Sequence, residues 1–261
     1  MIDTVPDILA RIVAKKRQEL RSAKPSPQWE REAEERTASR RDFRAALRAR
    51  TPAIIAEVKK ASPSKGVLSA HFDAARIAAQ YETGGAAALS ILTDESFFQG
   101  SLRDLQNARA RVSLPVLRKD FTIATSHVVE AAAHGADAIL LIAAILGERE
   151  IRDFREAAAR YRMAALVEVH NRRELDLAIA AGSEIIGVNN RDLGTFEVTL
   201  ETSLRLAEHM PAGALSISES GIHNASDIAR LRDAGYMAFL VGEHLMQSGD
   251  PAAALRKLVA A

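Results

Sequence analysis

A rhythm restricts what this chain can fold into more than any other feature. From Ala53 onward, eight short runs rich in Ile, Val, Leu and Ala recur, their starts roughly twenty to thirty-odd residues apart. That is the spacing of successive strand–helix units. The runs are AIIAEVK, AALSILTD, PVLRKDF, DAILLIAAIL, AALVEVH, EIIGVNN, LSISESG and MAFLVGE. Alanine-rich, charge-dotted segments of helical period lie between them. Gly84-Gly85, Gly135, Gly182 and Gly235 stand where those helices would end, as C-terminal caps. The runs are continuously apolar rather than alternating, which indicates a sheet covered by helices.

Eight such units fit an open doubly wound sheet or a closed (β/α)8 barrel. No run is followed by G-x-G-x-x-G, and no G-x-x-x-x-G-K-[ST] occurs, so the open sheet lacks its usual nucleotide-binding marker. The expected fold is therefore α/β, a single TIM barrel over residues 1–261, a length that suits one such unit. Residues 53–261 supply the eight βα units, and residues 1–50 form an N-terminal helical extension covering the barrel mouth.

Within that extension Ile8, Leu9, Ile12, Val13 and Leu20 recur at helical spacing, with Arg11, Lys15, Lys16 and Arg17 among them. A Lys-Pro-Ser-Pro break follows, then a heavily charged stretch from Trp29 to Arg50 that ends at Thr51-Pro52. A basic amphipathic helix can lie on a membrane surface, but packing on its own domain is the expected role here, with Trp29 part of that packing.

A formal net charge of +1 gives no whole-surface attraction for nucleic acid or anionic membrane, so any anion binding must be local. The absence of cysteine excludes disulfides, thiolate metal sites and cysteine nucleophiles. The longest strongly apolar run, Ala138 to Leu146, falls far short of the roughly 20 residues that span a bilayer. The N-terminus has no apolar block of the signal-peptide kind. These features lead to the expectation of a soluble cytoplasmic protein, a monomer by default, with no membrane or nucleic-acid partner.

In a barrel the working face lies at the C-terminal ends of the strands, and the unusual polar residues collect there. The first run ends with Glu57 and Lys59, the third with Lys119, the fifth with Glu168, and the sixth with Asn189 and Arg191. The seventh ends in Glu219-Ser220-Gly221 and the eighth in Gly242-Glu243. Residues two apart on a strand share a face, so Glu57 with Lys59, Lys119 with Phe121, and Asn189 with Arg191 point alike. One such charge is ordinary as a rim salt bridge; six strand ends with complementary charges indicate a site. Gly221 and Gly242 each precede an expected helix start in the last two βα loops, where barrels of this kind hold phosphate on backbone N–H groups.

At these positions the chain resembles a known family. AEVKKASPSKG, LTDESFFQGS, PVLRKDF, ALVEVH, IIGVNNRDL, SESGI and FLVGEHLM, in this order, are similar to indole-3-glycerol-phosphate synthase of tryptophan biosynthesis, and the likeness runs over essentially the whole chain. It implies ring closure of 1-(2-carboxyphenylamino)-1-deoxyribulose 5-phosphate, with loss of carbon dioxide and water and without metal or organic cofactor. It implies Lys119 as the acid that protonates the sugar carbonyl, its pKa lowered by desolvation. Lys59 would hold the substrate carboxylate and could act in the dehydration, Glu57 would orient Lys59, Glu168 would be the base, and Asn189 would hydrogen-bond the reacting hydroxyl. Phe98, Phe121, Leu140 and Leu193 would form the slot for the benzoate ring. Ser62, Ser220, Gly221, Leu240, Gly242 and Glu243 would surround the other end, Gly221, Gly242 and Glu243 at the phosphate and Glu243 through its amide alone. Ser62, Pro63 and Ser64 would shape the first loop over the substrate. Arg191 and Glu219 would face the substrate or back the residues that do.

Other residues have plainer expected roles. His170 would pack at the barrel rim, and no histidine has metal-ligand spacing. Asp94 and Asp120 would bridge strand ends to Lys or Arg, and Lys60 and Lys65 would be solvated loop charges. Three rival functions remain open at this level. Phosphoribosylanthranilate isomerase resembles a cysteine–aspartate enzyme, and this chain has no cysteine. A Schiff-base aldolase would use Lys119 or Lys59 as nucleophile. A non-catalytic anion or nucleic-acid binder would use the basic N-terminal helix, against the near-zero net charge.

Overall fold

The structure is a computed structural model that describes residues 7–22, 26–63, 65–69 and 71–261. Ser64, and Lys24 and Pro25 of the Lys-Pro-Ser-Pro break, lie outside the described residues. The eight apolar runs form the eight strands of a closed, all-parallel barrel: β1 (Ala53–Val58), β2 (Ala88–Leu92), β3 (Val116–Lys119), β4 (Ala138–Ile142), β5 (Ala164–Val169), β6 (Ile185–Asn189), β7 (Leu215–Glu219) and β8 (Ala238–Val241). Each strand pairs with its neighbour in sequence, and β8 closes onto β1 through Ala53↔Ala238 to Ala56↔Val241.

The closed barrel explains why the runs are apolar throughout. Ile54, Ala56, Leu89, Ile91, Val116, Ile139, Leu141, Val167, Ile186 and Phe239 point outward into the shell of helices. Ile55, Ala88, Leu117, Leu140, Leu166, Ile185, Ile217 and Leu240 fill the interior. With both faces buried, alternation has nothing to separate. The period of two then fixes the site: Glu57 continues the inward row of Ile55, Lys119 that of Leu117, Glu168 that of Leu166, Asn189 that of Ile185, and Glu219 that of Ile217.

The helices are α1 (Asp7–Ser22), α2 (Gln28–Arg36), α3 (Phe43–Arg48), α4 (Ala74–Gly84), α5 (Glu95–Phe98), α6 (Leu102–Arg111), α7 (Thr125–Ala133), α8 (Glu148–Arg160), α9 (Arg172–Ala180), α10 (Glu201–Ala207), α11 (Ala225–Asp233), α12 (Glu243–Met246) and α13 (Pro251–Val259). Many start where a side-chain oxygen meets an orphan N–H: Asp73 accepts from Arg76, Ser101 from Asp104, Asn171 from Glu174, and Asn224 from Asp227. Gly85, Gly135, Gly182 and Gly235 take the left-handed backbone that a helix end requires, as their spacing predicts.

The extension behaves differently from the expected mouth cover. Only α1 reaches the mouth, where Ile8, Leu9 and Ile12 line the central cavity. Burial of Leu9 and Ile12 contributes about 2 kcal/mol each. α2 lies along α7, with Trp29 edge-on to His134 at 6.2 Å. α3 sits at the opposite end, Phe43 beside Ala164, Ala165 and Ile185 at the starts of β5 and β6. Arg44 pairs there with Glu184, and Phe43 and Leu47 belong to the interior cluster. Among the described residues no helix is long and apolar enough to cross a membrane.

Candidate active site

The C-terminal ends of the strands open into a cavity of about 480 Å³, and every residue singled out in sequence for catalysis or binding lines it. Ser64 cannot be placed in this way, because it lies outside the described residues. Two charged pairs stand on its floor. Lys59 Nζ is 2.8 Å from Glu57 Oε2, and Lys119 Nζ is 2.8 Å from Glu168 Oε2 and 3.8 Å from Glu219 Oε2. Glu57, Glu168 and Glu219 are all buried.

These charges set one another's protonation. Burial alone would pull the Lys119 ammonium down, yet Glu168, then Glu219 and Glu57, outweigh it and hold the group above the ordinary lysine range. The expected lowering of Lys119 by desolvation is therefore overturned in the resting cavity. Burial would raise Glu168, but Lys119 and then His170 keep its carboxyl well below the usual range. Glu219 goes the other way. Burial, then repulsion from Glu168, pushes it up to about 8, with Lys119 opposing. Neither of its carboxyl oxygens has a hydrogen-bond partner among the described residues. At neutral pH the floor thus holds a firm ammonium, a firm carboxylate and a neutral acid within one cluster, a set able to give and take protons.

Two glycines make room for this cluster. A Cβ on Gly187, inward on β6, would stand 2.0 Å from Glu219 Oε1. A Cβ on Gly242 would stand 2.3 Å from Glu57 Oε2. Gly242 was expected as a phosphate-loop glycine before a helix start, and it does cap the single turn α12. Its want of a side chain has this second cause, which its sequence position does not reveal. Gly221, by contrast, is not at a helix start: α11 begins at Ala225, capped by Asn224. Ser220 and Gly221 instead form two successive left-handed residues, φ 67° and 78°, that turn the backbone at the mouth.

One wall is apolar, with Phe98 and Phe121 6.1 Å apart between ring centres and Leu140 and Leu193 also on the lining. Asn189 Oδ1 accepts from the Arg191 N–H at 3.0 Å and from Ser220 Oγ at 2.9 Å, which leaves its Nδ2 as the end free to donate. The Glu243 side chain is not a bystander, as was expected: Oε2 lies 3.2 Å from Arg191 Nη2 and Oε1 3.6 Å from Lys65 Nζ. Lys65, expected to be a solvated charge, is half exposed but reaches across the mouth to this carboxylate. His223 and His244 meet edge to face at 5.9 Å on the same rim. Among the described residues no group of three or more His, Asp or Glu is arranged to hold a metal ion.

The sequence reading missed two connections. His170 is no simple rim residue, since its Nε2 lies 3.3 Å from Glu168 Oε1. Asp94 and Asp120 do meet cations as expected, Asp120 with Arg118 at 3.2 Å, but both also meet Lys16 of α1, at 3.0 and 2.8 Å. Lys16 is a lysine on the buried side of a helix whose other buried residues are Leu9 and Ile12. Its place on that face, i+4 from Ile12, is the signal that could have found it.

A family model described as indole-3-glycerol phosphate synthase matches residues 9–258. The chain is 50% identical over 260 residues to the indole-3-glycerol phosphate synthase of Koribacter versatilis (strain Ellin345), covering 98% of this chain and 96% of that protein. It is 51% identical over 259 residues to the enzyme of the same name from Polaromonas naphthalenivorans (strain CJ2), covering 97% and 98%. Among solved structures, 3-hexulose-6-phosphate synthase superposes with a TM-score of 0.63 at 16% identity, over 80% of this chain and 98% of that one. KGPDC from Streptococcus mutans gives 0.59 at 13%, over 80% and 96%. At such identities the two structures share the barrel fold alone.

Proposed function

The chain belongs to the indole-3-glycerol phosphate synthase family, and from that premise we propose how its cavity closes the indole ring. As a carboxy-lyase of tryptophan biosynthesis it acts on 1-(2-carboxyphenylamino)-1-deoxyribulose 5-phosphate. The products are indole-3-glycerol phosphate, carbon dioxide and water. The reading carries a cytoplasmic location with it, as well as a single barrel unit that includes the extension.

The observation that carries the mechanism is the Lys119 ammonium 2.8 Å from Glu168 on the floor of the cavity that also holds Lys59 and Glu57. The benzoate ring lies in the slot of Phe98, Phe121, Leu140 and Leu193, and Lys59, steadied by Glu57, takes its carboxylate. The sugar carbonyl oxygen then competes with Glu168 for Lys119. As the ring carbon attacks, the ammonium gives that oxygen a proton, an acid aimed where charge develops. Carbon dioxide leaves and restores electrons to the ring. Asn189 Nδ2 holds the reacting hydroxyl, the Lys59 ammonium protonates it so that it departs as water, and Glu168 accepts the last proton. Ser62, Ser220 and Leu240 border the sugar chain. The backbone at Gly221, Gly242 and Glu243 takes the phosphate, with Arg191 drawn toward it from Glu243. Glu219, neutral at rest, is the nearest further proton source to Lys119.

A Schiff-base aldolase needs a neutral amine, and a lysine held above its ordinary pKa by three carboxylates is a poor one. The test is direct. Purified protein given the carboxyphenylamino substrate should develop indole absorbance and fluorescence in EDTA and in Mg²⁺ alike, and folded protein that yields none would sink the reading. Lys119→Ala and Glu168→Gln should each lower kcat by about a hundredfold or more, with KM within a few-fold. Equal losses in binding would make them substrate clamps instead.

A further inference from the structure

Glu168 has two carboxylate oxygens, and the chemistry proposed above engages one. Oε2 holds Lys119 at 2.8 Å; Oε1 turns away from it and lies 3.3 Å from His170 Nε2, at ion-pair range without hydrogen-bond alignment. The imidazole is anchored on its far side, where Nδ1 meets Glu174 Oε2 at 2.9 Å. Glu174 is fixed in turn. Its Oε2 also accepts the His170 backbone N–H at 2.8 Å, and its Oε1 accepts Asn171 Nδ2 at 2.7 Å in the first turn of α9. His170 therefore stands between two carboxylates on a rigid turn from β5 into α9, with its side chain only 12% exposed.

We propose that His170, backed by Glu174, is the positioning residue of the base: it supplies the second cation that keeps Glu168 ionised, with Oε2 turned to the cavity, once substrate has drawn Lys119 away. The proposal rests on the assignment of Glu168 as base.

The need for a second cation follows from burial. Glu168 is 2% exposed, and a carboxylate so placed takes up a proton unless a positive charge faces it. In the resting cavity Lys119 is that charge. When Lys119 gives its proton to the carbonyl oxygen it becomes a neutral amine, and it does so before Glu168 must act as base. A base already protonated from solvent has nothing left to accept with. An imidazolium flanked by two carboxylates persists through the neutral range: burial opposes it, but Glu168 and Glu174 together raise His170 to about 10. Among the described residues, Lys119 from β3 and Glu219 from β7 also face the pair, Asp192 after β6 faces His170, and Glu57 from β1 reaches Lys119 and Glu219. The only further cation among these groups is the lysine that reacts.

The decisive experiment removes Lys119 and reads Glu168 directly. In full-length protein with ¹³C-labelled glutamate carboxyl groups, the Glu168 signal is assigned by its loss in Glu168→Gln and titrated in two backgrounds. In Lys119→Ala its midpoint should stay at or below that of an ordinary glutamate. In Lys119→Ala/His170→Asn it should rise by about two pH units. Alone, His170→Asn should lower kcat about tenfold, leave KM within about twofold, and bring an acid limb of kcat into the neutral range. A merely structural role would lower thermal stability without moving the Glu168 midpoint. Equal midpoints in the two backgrounds overturn the proposal. If the double variant does not fold, Lys119→Ala/Glu174→Gln replaces it: a smaller upward shift supports the proposal and no shift overturns it. A wild-type protein that makes no indoleglycerol phosphate would sink the synthase reading, and the midpoints would still decide this one.

Discussion

Glu219 shows how far a single residue's chemistry depends on neighbours that its own strand does not carry. Its place after an apolar run marks it as a polar residue at a barrel mouth, and that much is legible in sequence. Its state is not, because the groups that set it come from other strands: Glu168 from β5, Lys119 from β3 and Glu57 from β1. The same holds for Lys119, expected to be weakened by desolvation and found strengthened by three carboxylates. For Glu219 the sign of the consequence can be worked out. Its pKa is raised from an ordinary carboxyl value to about 8 in the folded state, so between about 4.5 and 8 the folded chain binds a proton that the unfolded chain has lost. Stability attributable to this residue therefore falls as pH rises through that window. Glu219→Gln keeps the shape and removes the titration. The variant should melt at a higher temperature than the wild type at pH 8, with the difference shrinking toward pH 5, and its turnover should fall, as for other strained site residues. Melting curves from pH 5 to 9 check this, and a variant less stable at pH 8 would refute the buried acid.

Helix α1 carries the corresponding lesson for an element. Its amphipathic pattern was legible, and so was the choice between membrane surface and own domain, since Leu9 and Ile12 are buried in the barrel mouth. What it grips was not, because the grip is a lysine on a helix whose lysines read as a basic, solvated face. Lys16 is 8% exposed and meets Asp94 and Asp120. Asp94 also accepts the Phe97 N–H at the start of α5, next to Phe98, and Asp120 accepts the Phe121 N–H. One ammonium thus ties α1 to the segments that carry both aromatic rings of the slot. Burial opposes its charge, but the two carboxylates raise its pKa above the ordinary lysine value. Among the described residues, Lys16→Met leaves Asp94 without a cation and Asp120 with Arg118 alone. It should cost about 3 kcal/mol of stability and raise KM about tenfold as the slot loosens, with kcat changed less. Urea unfolding and steady-state kinetics test the two halves separately. A KM that stays at the wild-type value would confine Lys16 to stability.

At the scale of the whole molecule, the eightfold count, the strand positions and the inward row of charges follow from a period of two inside a period of one βα unit, so the barrel was readable almost strand by strand. The path of the extension was not, because helical periodicity says which face is buried and nothing about which end of a barrel it reaches. Of the three helices of the extension, α2 lies along α7, and the other two hold opposite ends of the barrel. α1 walls the cavity at the C-terminal ends of the strands. α3 packs at the other end, with Phe43 and Leu47 in the interior cluster and Arg44 on Glu184. Phe43 and Leu47 are both 1% exposed, and removing two such side chains uncovers the starts of the strands. That loss costs several kcal/mol, about 3 or more for the phenylalanine alone, which is a large share of an ordinary domain's stability. Two truncations should therefore part company. A chain beginning at Gln28 lacks α1 but keeps α3; it should fold cooperatively and show a KM raised tenfold or more. A chain beginning at Thr51 should unfold far more easily, expose apolar surface to a hydrophobic dye and lose turnover altogether. If both melted like the full chain and differed only in KM, α3 would be no more than a passenger. If the shorter deletion already unfolded the protein, α1 would be part of the core rather than a wall of the site.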